Sequence, residues 1–129
     1  MTNRSSIVAN KESAVDFLQL VVAGSIDEAY SNYVNMHGKH HNMYYSGEFV
    51  SLKQGMIENQ TQFPNKRIMV KNVLGDGNLV AVHSNIVMKP GEPGVAVVHI
   101  FRFEDGRIVE MWDIGQSIPV DSPNRMGAF

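Results

Sequence analysis

Val95-Ala96-Val97-Val98-His99-Ile100-Phe101-Arg102-Phe103-Glu104-Asp105-Gly106-Arg107-Ile108-Val109-Glu110-Met111-Trp112-Asp113 holds two apolar runs on either side of Asp105-Gly106. Runs rich in Val, Ile and Phe favour strands, and Asp-Gly supplies the turn chemistry of a tight hairpin. The same pattern extends upstream. Segments near 67–75 and 78–88 have this composition, and Gly75-Asp76-Gly77-Asn78 and Pro90-Gly91-Glu92-Pro93-Gly94 separate the successive runs. Short connections between successive strands predict an antiparallel meander over 67–75, 78–88, 95–104 and 107–116.

The first half has helical periodicity. Ala14, Phe17, Leu18, Val21 and Val22 make one apolar face, with Asn10 as the expected cap and Gly24 at the expected stop. Ser25 and Glu28 have capping-box spacing ahead of a second helix carrying Ile26, Ala29, Tyr30, Tyr33 and Val34. A third helix is expected from near Ser51, with Gln54 completing its box, Leu52, Met56 and Phe63 as its apolar positions, and Pro64 ending it. The segment 36–42 contains a glycine and no periodicity, and reads as a loop. Helices first and hairpins after predict an α+β fold, three N-terminal helices packed on a strongly curved antiparallel sheet. The tail from Ile118 to Phe129 is expected to wrap over the surface or a neighbouring subunit.

Length and composition narrow the function. A chain of 129 residues and 14.4 kDa fits one domain, 1–129. The absence of cysteine removes disulfides, zinc–thiolate sites and a cysteine nucleophile. A net charge of −2 without a Lys/Arg cluster argues against nucleic acid as partner. Met1–Ser13 is polar and no apolar run nears the ~20 residues of a membrane span, so the expectation is no membrane and a cytoplasmic location. Five histidines remain as the titratable chemistry near neutral pH.

His99 and Asp113 are polar residues within apolar strands of one hairpin. A two-residue Asp105-Gly106 turn would set His99 opposite Trp112 and put the two on opposite faces. A three-residue loop with a bulge at the glycine pairs Phe103 with Arg107, sets His99 opposite Met111 and makes Asp113 its diagonal neighbour. The second register is preferred, because it collects Val97, His99, Phe101, Val109, Met111 and Asp113 on one face. Burial raises a carboxyl pKa and lowers a histidine pKa, and mutual attraction does the opposite, so such a pair suits general acid–base chemistry. A structural hydrogen bond that merely closes the sheet is the alternative.

Other candidates are less determined. His83 either flanks His99 or sits a pleat away on a half-exposed strand. His37, His40 and His41 suggest a metal cluster, but zinc sites want three or four ligands of defined geometry, and no metal is expected. His41 with Asn42 is expected to close the mouth of a cavity, while His37 and His40 read as solvated loop. Tyr33 can offer its hydroxyl to a substrate or pack in the core, and Met111 suits an adaptable apolar lining. Trp112 falls opposite Asp113 with Val98, Ile100, Ile108 and Ile114. An apolar face of that kind, turned away from the helices, calls for a second subunit.

The order of three helices and a hairpin-rich sheet resembles the nuclear transport factor 2-like cone fold, a cone-shaped α+β barrel. Within it, the run 78–84, Lys89-Pro90-Gly91, the stretch 97–113, the His41-Asn42 loop and the terminal Met126-Gly127-Ala128-Phe129 are similar to the SnoaL-like polyketide-cyclase family. The resemblance implies a deep pocket between sheet and helices, and a homodimer through the outer sheet face. It also implies cofactor-free ring closure by intramolecular aldol condensation, with Asp113 and His99 at the positions of that family's catalytic aspartate and histidine. Two positions depart from the pattern, since close relatives carry an acid where His99 stands and a histidine where Met111 stands. The expected function is a cofactor-free aldol, cyclase or isomerase-type enzyme on a small enolisable carbonyl compound, with Tyr33, His41, Asn42, His83, Phe101 and Met111 contacting substrate. A non-catalytic small-molecule binding module on the same pocket is the alternative.

Overall fold

The computed structural model describes residues 4–129, so the first three positions of the polar Met1–Ser13 stretch lie outside the described residues. From Arg4 onward that stretch is helix. Helix α1 spans Arg4–Val22, α2 Ile26–Tyr33 and α3 Phe49–Gln62. Strand β1 spans Val34–His40, followed after α3 by β2 Arg67–Asp76, β3 Leu79–Val87, β4 Val95–Glu104 and β5 Arg107–Ser117.

Helices α1 and α3 start ahead of their expected positions, while α2 starts where expected, directly after Ser25. Asn10 is not a cap but lies buried inside α1, which begins earlier because Ile7 and Lys11 pack over the bare backbone of Gly75. Gly24 takes the left-handed conformation after α1, as its position predicts. Ser25 precedes α2 without a side-chain cap bond, and α3 starts at Phe49, ahead of Ser51, with Glu48 at the cap position. Phe49 is drawn into the helix by burial, since its ring meets Tyr30 edge-on at 6.3 Å between centroids.

The larger correction concerns 34–40. This segment is a strand, and it pairs in parallel with β5 at one edge of the sheet, giving the order β1-β5-β4-β3-β2. The meander β2–β5 is antiparallel as expected, so the whole sheet is mixed and open, not a closed antiparallel barrel. Periodicity hid β1 because only its two ends, Val34 and His40, are buried. Gly38 lies so close to Val109 that an added Cβ would stand 2.3 Å from the Val109 carbonyl oxygen.

The helices cover one face of this α+β cone fold. Phe17, Leu18, Tyr30, Phe49 and Leu52 pack on Val80, Val82, Phe101, Phe103, Ile108 and Met111 of the inner sheet face. Phe17 links the layers, edge-on to Tyr30 at 5.5 Å and to Phe101 at 5.9 Å. Each such buried aromatic contributes about 1.5–3 kcal/mol by removal of apolar surface from water. Ile108, expected on the outer face with Trp112, is fully buried in this core. The tail returns to the outer face, where the Phe129 ring lies 5.2 Å from His83 and under Lys71 Nζ. Among the described residues no helix is long and apolar enough to cross a membrane.

Candidate active site

The β4–β5 hairpin sets the site. Its turn is the two-residue one, with Asp105 at φ 51° and Gly106 at φ 76°, and Glu104 pairs with Arg107. Asp105 tolerates the left-handed region and Gly106 meets no penalty there, so the tight turn prevails over the three-residue loop. By itself this turn would separate His99 from Asp113. A bulge at Val109 corrects the parity: Phe103 pairs with Ile108, but Arg102 pairs with Glu110. Beyond it Phe101 faces Met111 and His99 faces Asp113 directly. The shared face is the expected one, by another register, and Val109 leaves it for the edge beside Gly38.

His99 is only 8% exposed. Its ring stacks on Phe101 at 6.0 Å between centroids and 13° between planes, and its Nδ1 is buried without a hydrogen-bond partner. Burial pulls its pKa down to about 4, against the opposing attraction of the Asp113 carboxylate, so the imidazole is neutral at pH 7. Asp113 Oδ2 accepts a hydrogen bond from Asn42 Nδ2 at 2.9 Å.

The helices stop short of the far end of the sheet. Past His99 and Asp113 the inner face continues with the pairs Val97–Gly115 and Val95–Ser117, and with Ile86 on β3. Together with Met88 and residues His41–Tyr44 these enclose an open cavity of about 740 Å³. His41, Asn42, His99 and Asp113 stand at one end and Ser117 at the other, with Ile86, Met88, Val95 and Val97 as apolar wall between them. No helical residue lines it, so the cavity lies between the sheet and the β1–α3 connection, not between sheet and helices.

That connection is built around His40, which the sequence pattern assigns to solvated loop and the fold buries. His40 is 4% exposed. Its Nδ1 accepts the Asn42 N–H at 3.1 Å, which leaves the proton on Nε2 to be donated to the Ser46 carbonyl at 2.5 Å. His40 N–H donates to Gly47 O at 3.0 Å, and His41 N–H to Met111 O at 2.9 Å. The signal in the sequence was turn-forming Asn42 and Ser46-Gly47 within reach of an otherwise unremarkable histidine.

His41 and Asn42 grip β5 from its two faces. Asn42 holds Asp113 on the inner side. On the outer side His41 stacks on Trp112 at 5.0 Å and 12°, and its Nε2 donates to Glu110 Oε2 at 2.6 Å. Glu110 Oε1 also accepts from Arg102 Nε at 2.9 Å. The His41 bond, then Arg102 and Lys39, hold the Glu110 carboxyl below the usual carboxylate range.

The remaining expected contacts divide clearly. Phe101 and Met111 are buried beneath the pair and support His99 from below the cavity floor. His83 points to the outer face, where its Nδ1 lies 3.1 Å from Asn72 Nδ2 and its ring meets Phe129, so it does not line this cavity. Tyr33 is also remote; its hydroxyl donates to Asp16, and that bond raises its pKa. Among the described residues no three His, Asp or Glu side chains gather to hold a metal ion.

Comparison with known proteins places this geometry in context. A family model for a SnoaL-like domain matches residues 16–111, more than half of the chain, and ends just before Trp112 and Asp113. No curated protein matches. Among solved structures, a candidate SnoaL-like polyketide cyclase from Jannaschia sp. superposes with a TM-score of 0.67 at 19% identity, covering 90% of this chain and 92% of that one. A candidate isomerase of the SnoaL-like family from Agrobacterium tumefaciens gives 0.70 at 9% identity, with 84% and 98% covered. A nuclear transport factor 2-like protein of unknown function from Cytophaga hutchinsonii gives 0.67 at 14% identity, with 83% and 89% covered. At these identities the likeness is one of fold.

Proposed function

Because this chain belongs to the SnoaL-like domain family, we propose that it is a cofactor-free enzyme of the cyclase or isomerase type acting on a small enolisable carbonyl compound. The observation that carries the reading is His99 directly opposite Asp113 at the polar end of an apolar cavity. Asp113 is the base. Its carboxylate takes the proton from the carbon beside the carbonyl, and the C–H electron pair passes into the enolate. The enolate oxygen accepts a hydrogen bond from the second N–H of the Asn42 amide or from the neutral His99 ring. The proton on Asp113 then returns, either to a different carbon, completing an isomerisation, or to the alkoxide formed when the enolate carbon attacks a second carbonyl of the same molecule. No electron is gained or lost overall, so the step asks for no redox partner.

Three of the expected substrate contacts change roles within this proposal. His41 has its Nε2 engaged by Glu110 and one ring face by Trp112, so it presents only the rest of its ring to the substrate. Tyr33 and His83 have no part in it.

The reading also includes a homodimer through the outer sheet face. Ile114 is 61% exposed there, beside the half-buried Val98, Ile100 and Trp112. The accessible surface of 7886 Å² exceeds the roughly 6,800 Å² expected of a monomer of this mass.

The test is proton exchange. A panel of enolisable ketones and β-diketones in deuterated water should include members whose exchange beside the carbonyl is accelerated by the protein and not by Asp113→Asn. Equal acceleration by the two proteins overturns the assignment. Ligand binding with no acceleration anywhere in the panel would support a binding module instead.

A further inference from the structure

Ser84, His99 and Asp113 lie on three adjacent strands, β3, β4 and β5, and all face the inner side of the sheet. The row sits where the core ends and the cavity begins. Val80, Val82, Phe101 and Met111 pack on one side of it, and Ile86 and Val97 line the cavity on the other. Ser84 pairs with Val97, two residues before His99. Ser84 and His99 are therefore diagonal neighbours, about 7–8 Å apart between Cα atoms and less between Cβ atoms. Ser84 is 0% exposed, and its Oγ has no hydrogen-bond partner. His99 Nδ1 is buried and unpartnered as well. Only four buried side-chain atoms among the described residues are in this state, and two of them share this one diagonal.

Serine, histidine and aspartate in a row invite comparison with a nucleophile, its base and the carboxylate behind it. Burial argues otherwise. Ser84 does not line the cavity, so no substrate carbonyl meets its Oγ, and an imidazole with a pKa of about 4 is a weak base. We propose that Ser84 is instead a positioning residue, whose hydroxyl donates to His99 Nδ1 and so keeps the ring proton on Nε2, turned to the cavity. Its part in catalysis rests on the reading of His99 and Asp113 as the reacting site. A neutral imidazole has one donor and one acceptor nitrogen, and the partner of one sets the task of the other. Nδ1 is the buried nitrogen while the ring borders the cavity, so Nε2 is the one that can meet a ligand oxygen. Protonated there, His99 supplies a hydrogen bond to the enolate oxygen. With the proton on Nδ1 it would present a lone pair, which repels the developing charge. The Ser84 bond is made by side-chain torsions alone, with the strands in place, and it satisfies two buried groups that are costly to leave unpaired.

Heteronuclear NMR of the His99 ring nitrogens tests this without a substrate, so its result stands apart from that of the Asp113→Asn exchange experiment. In the wild-type protein at pH 7, Nε2 should carry the proton and Nδ1 should resonate as a hydrogen-bonded acceptor. Ser84→Ala should move Nδ1 to the position of an unbonded acceptor. A proton on Nδ1, an unbonded Nδ1 in the wild-type protein, or the same Nδ1 resonance in Ser84→Ala each overturns the proposal. Urea unfolding gives a second measure. Removing a buried hydroxyl that has no partner stabilises a core, whereas removing this one strands Nδ1, so the urea midpoint of Ser84→Ala should fall. A midpoint at or above the wild-type value overturns the bond. For any ketone whose exchange the protein accelerates, Ser84→Ala should lower kcat about tenfold and leave KM unchanged. An unchanged kcat overturns the positioning role.

Discussion

His99 and Asp113 stand directly opposite each other on adjacent antiparallel strands, one with its ring buried against Phe101 and the other tethered to Asn42. Side chains so placed have Cβ atoms about 4.5–5.5 Å apart. Burial of the imidazole has a consequence for stability. Its folded pKa, about 4, lies below the unfolded value of 6.5. Between those two values the unfolded chain binds a proton that the folded chain refuses, so stability falls as pH drops from about 6.5 to about 4. A shift of this size corresponds to about 3 kcal/mol. Urea midpoints measured across that window should decline for the wild-type protein, and the decline should be much shallower for His99→Gln. Parallel curves for the two would show that His99 is not held neutral.

The hairpin could be read from composition, but the partnership within it depended on a feature with no compositional mark. Asp105-Gly106 announced the turn, and the turn alone gave the wrong parity for His99 and Asp113. The bulge at Val109 restored it. A bulge of this kind is chosen by packing, here by the pull of Ile108 and Phe103 into the core and by the approach of β1 at Gly38, and neither is local in sequence. The same holds for His40. Its two partners, the Asn42 N–H and the Ser46 carbonyl, are near in sequence, but its burial depends on β1 lying against β5, which no local pattern marks. By contrast, the strands β2–β5 and the apolar faces of the helices follow from period and turn chemistry, which are local.

Gly38 is required by that approach. The 2.3 Å separation between an added Cβ and the Val109 carbonyl oxygen involves backbone, which cannot swing aside as a side chain does. Gly38→Ala should therefore cost roughly 2–3 kcal/mol, at the upper end of overpacking penalties. Gly47→Ala is the control, because its nearest atom, the His40 carbonyl oxygen, lies 3.7 Å away. Thermal or urea unfolding of the two variants should separate them clearly. Equal stability would mean that β1 does not lie on β5 as described.

His40→Ala should loosen the 41–47 connection without unfolding the core. The variant leaves the Asn42 N–H and the Ser46 carbonyl, which are within reach of water, without their ring partner, at about 0.5–1.5 kcal/mol for each bond. Hydrogen exchange at the Asn42 amide should accelerate, while amides of β3 and β4 change only in proportion to global stability. Unchanged protection at Asn42 would remove His40 as the organiser of the cavity mouth.

Ile114→Glu tests the outer face. Ile114 projects from β5 on the side opposite Asp113, so a charge there leaves the cavity wall intact while making the apolar surface unfit for burial. For the wild-type protein at micromolar concentration, sedimentation should give twice the chain mass. For the variant it should give the chain mass, with urea stability changed only by the loss of association. The two-fold symmetry of such a contact brings the same face of both copies together, so one change introduces two like charges into one interface. A dimer that survives Ile114→Glu would locate the contact elsewhere, and a monomeric wild-type protein would rule out the dimer.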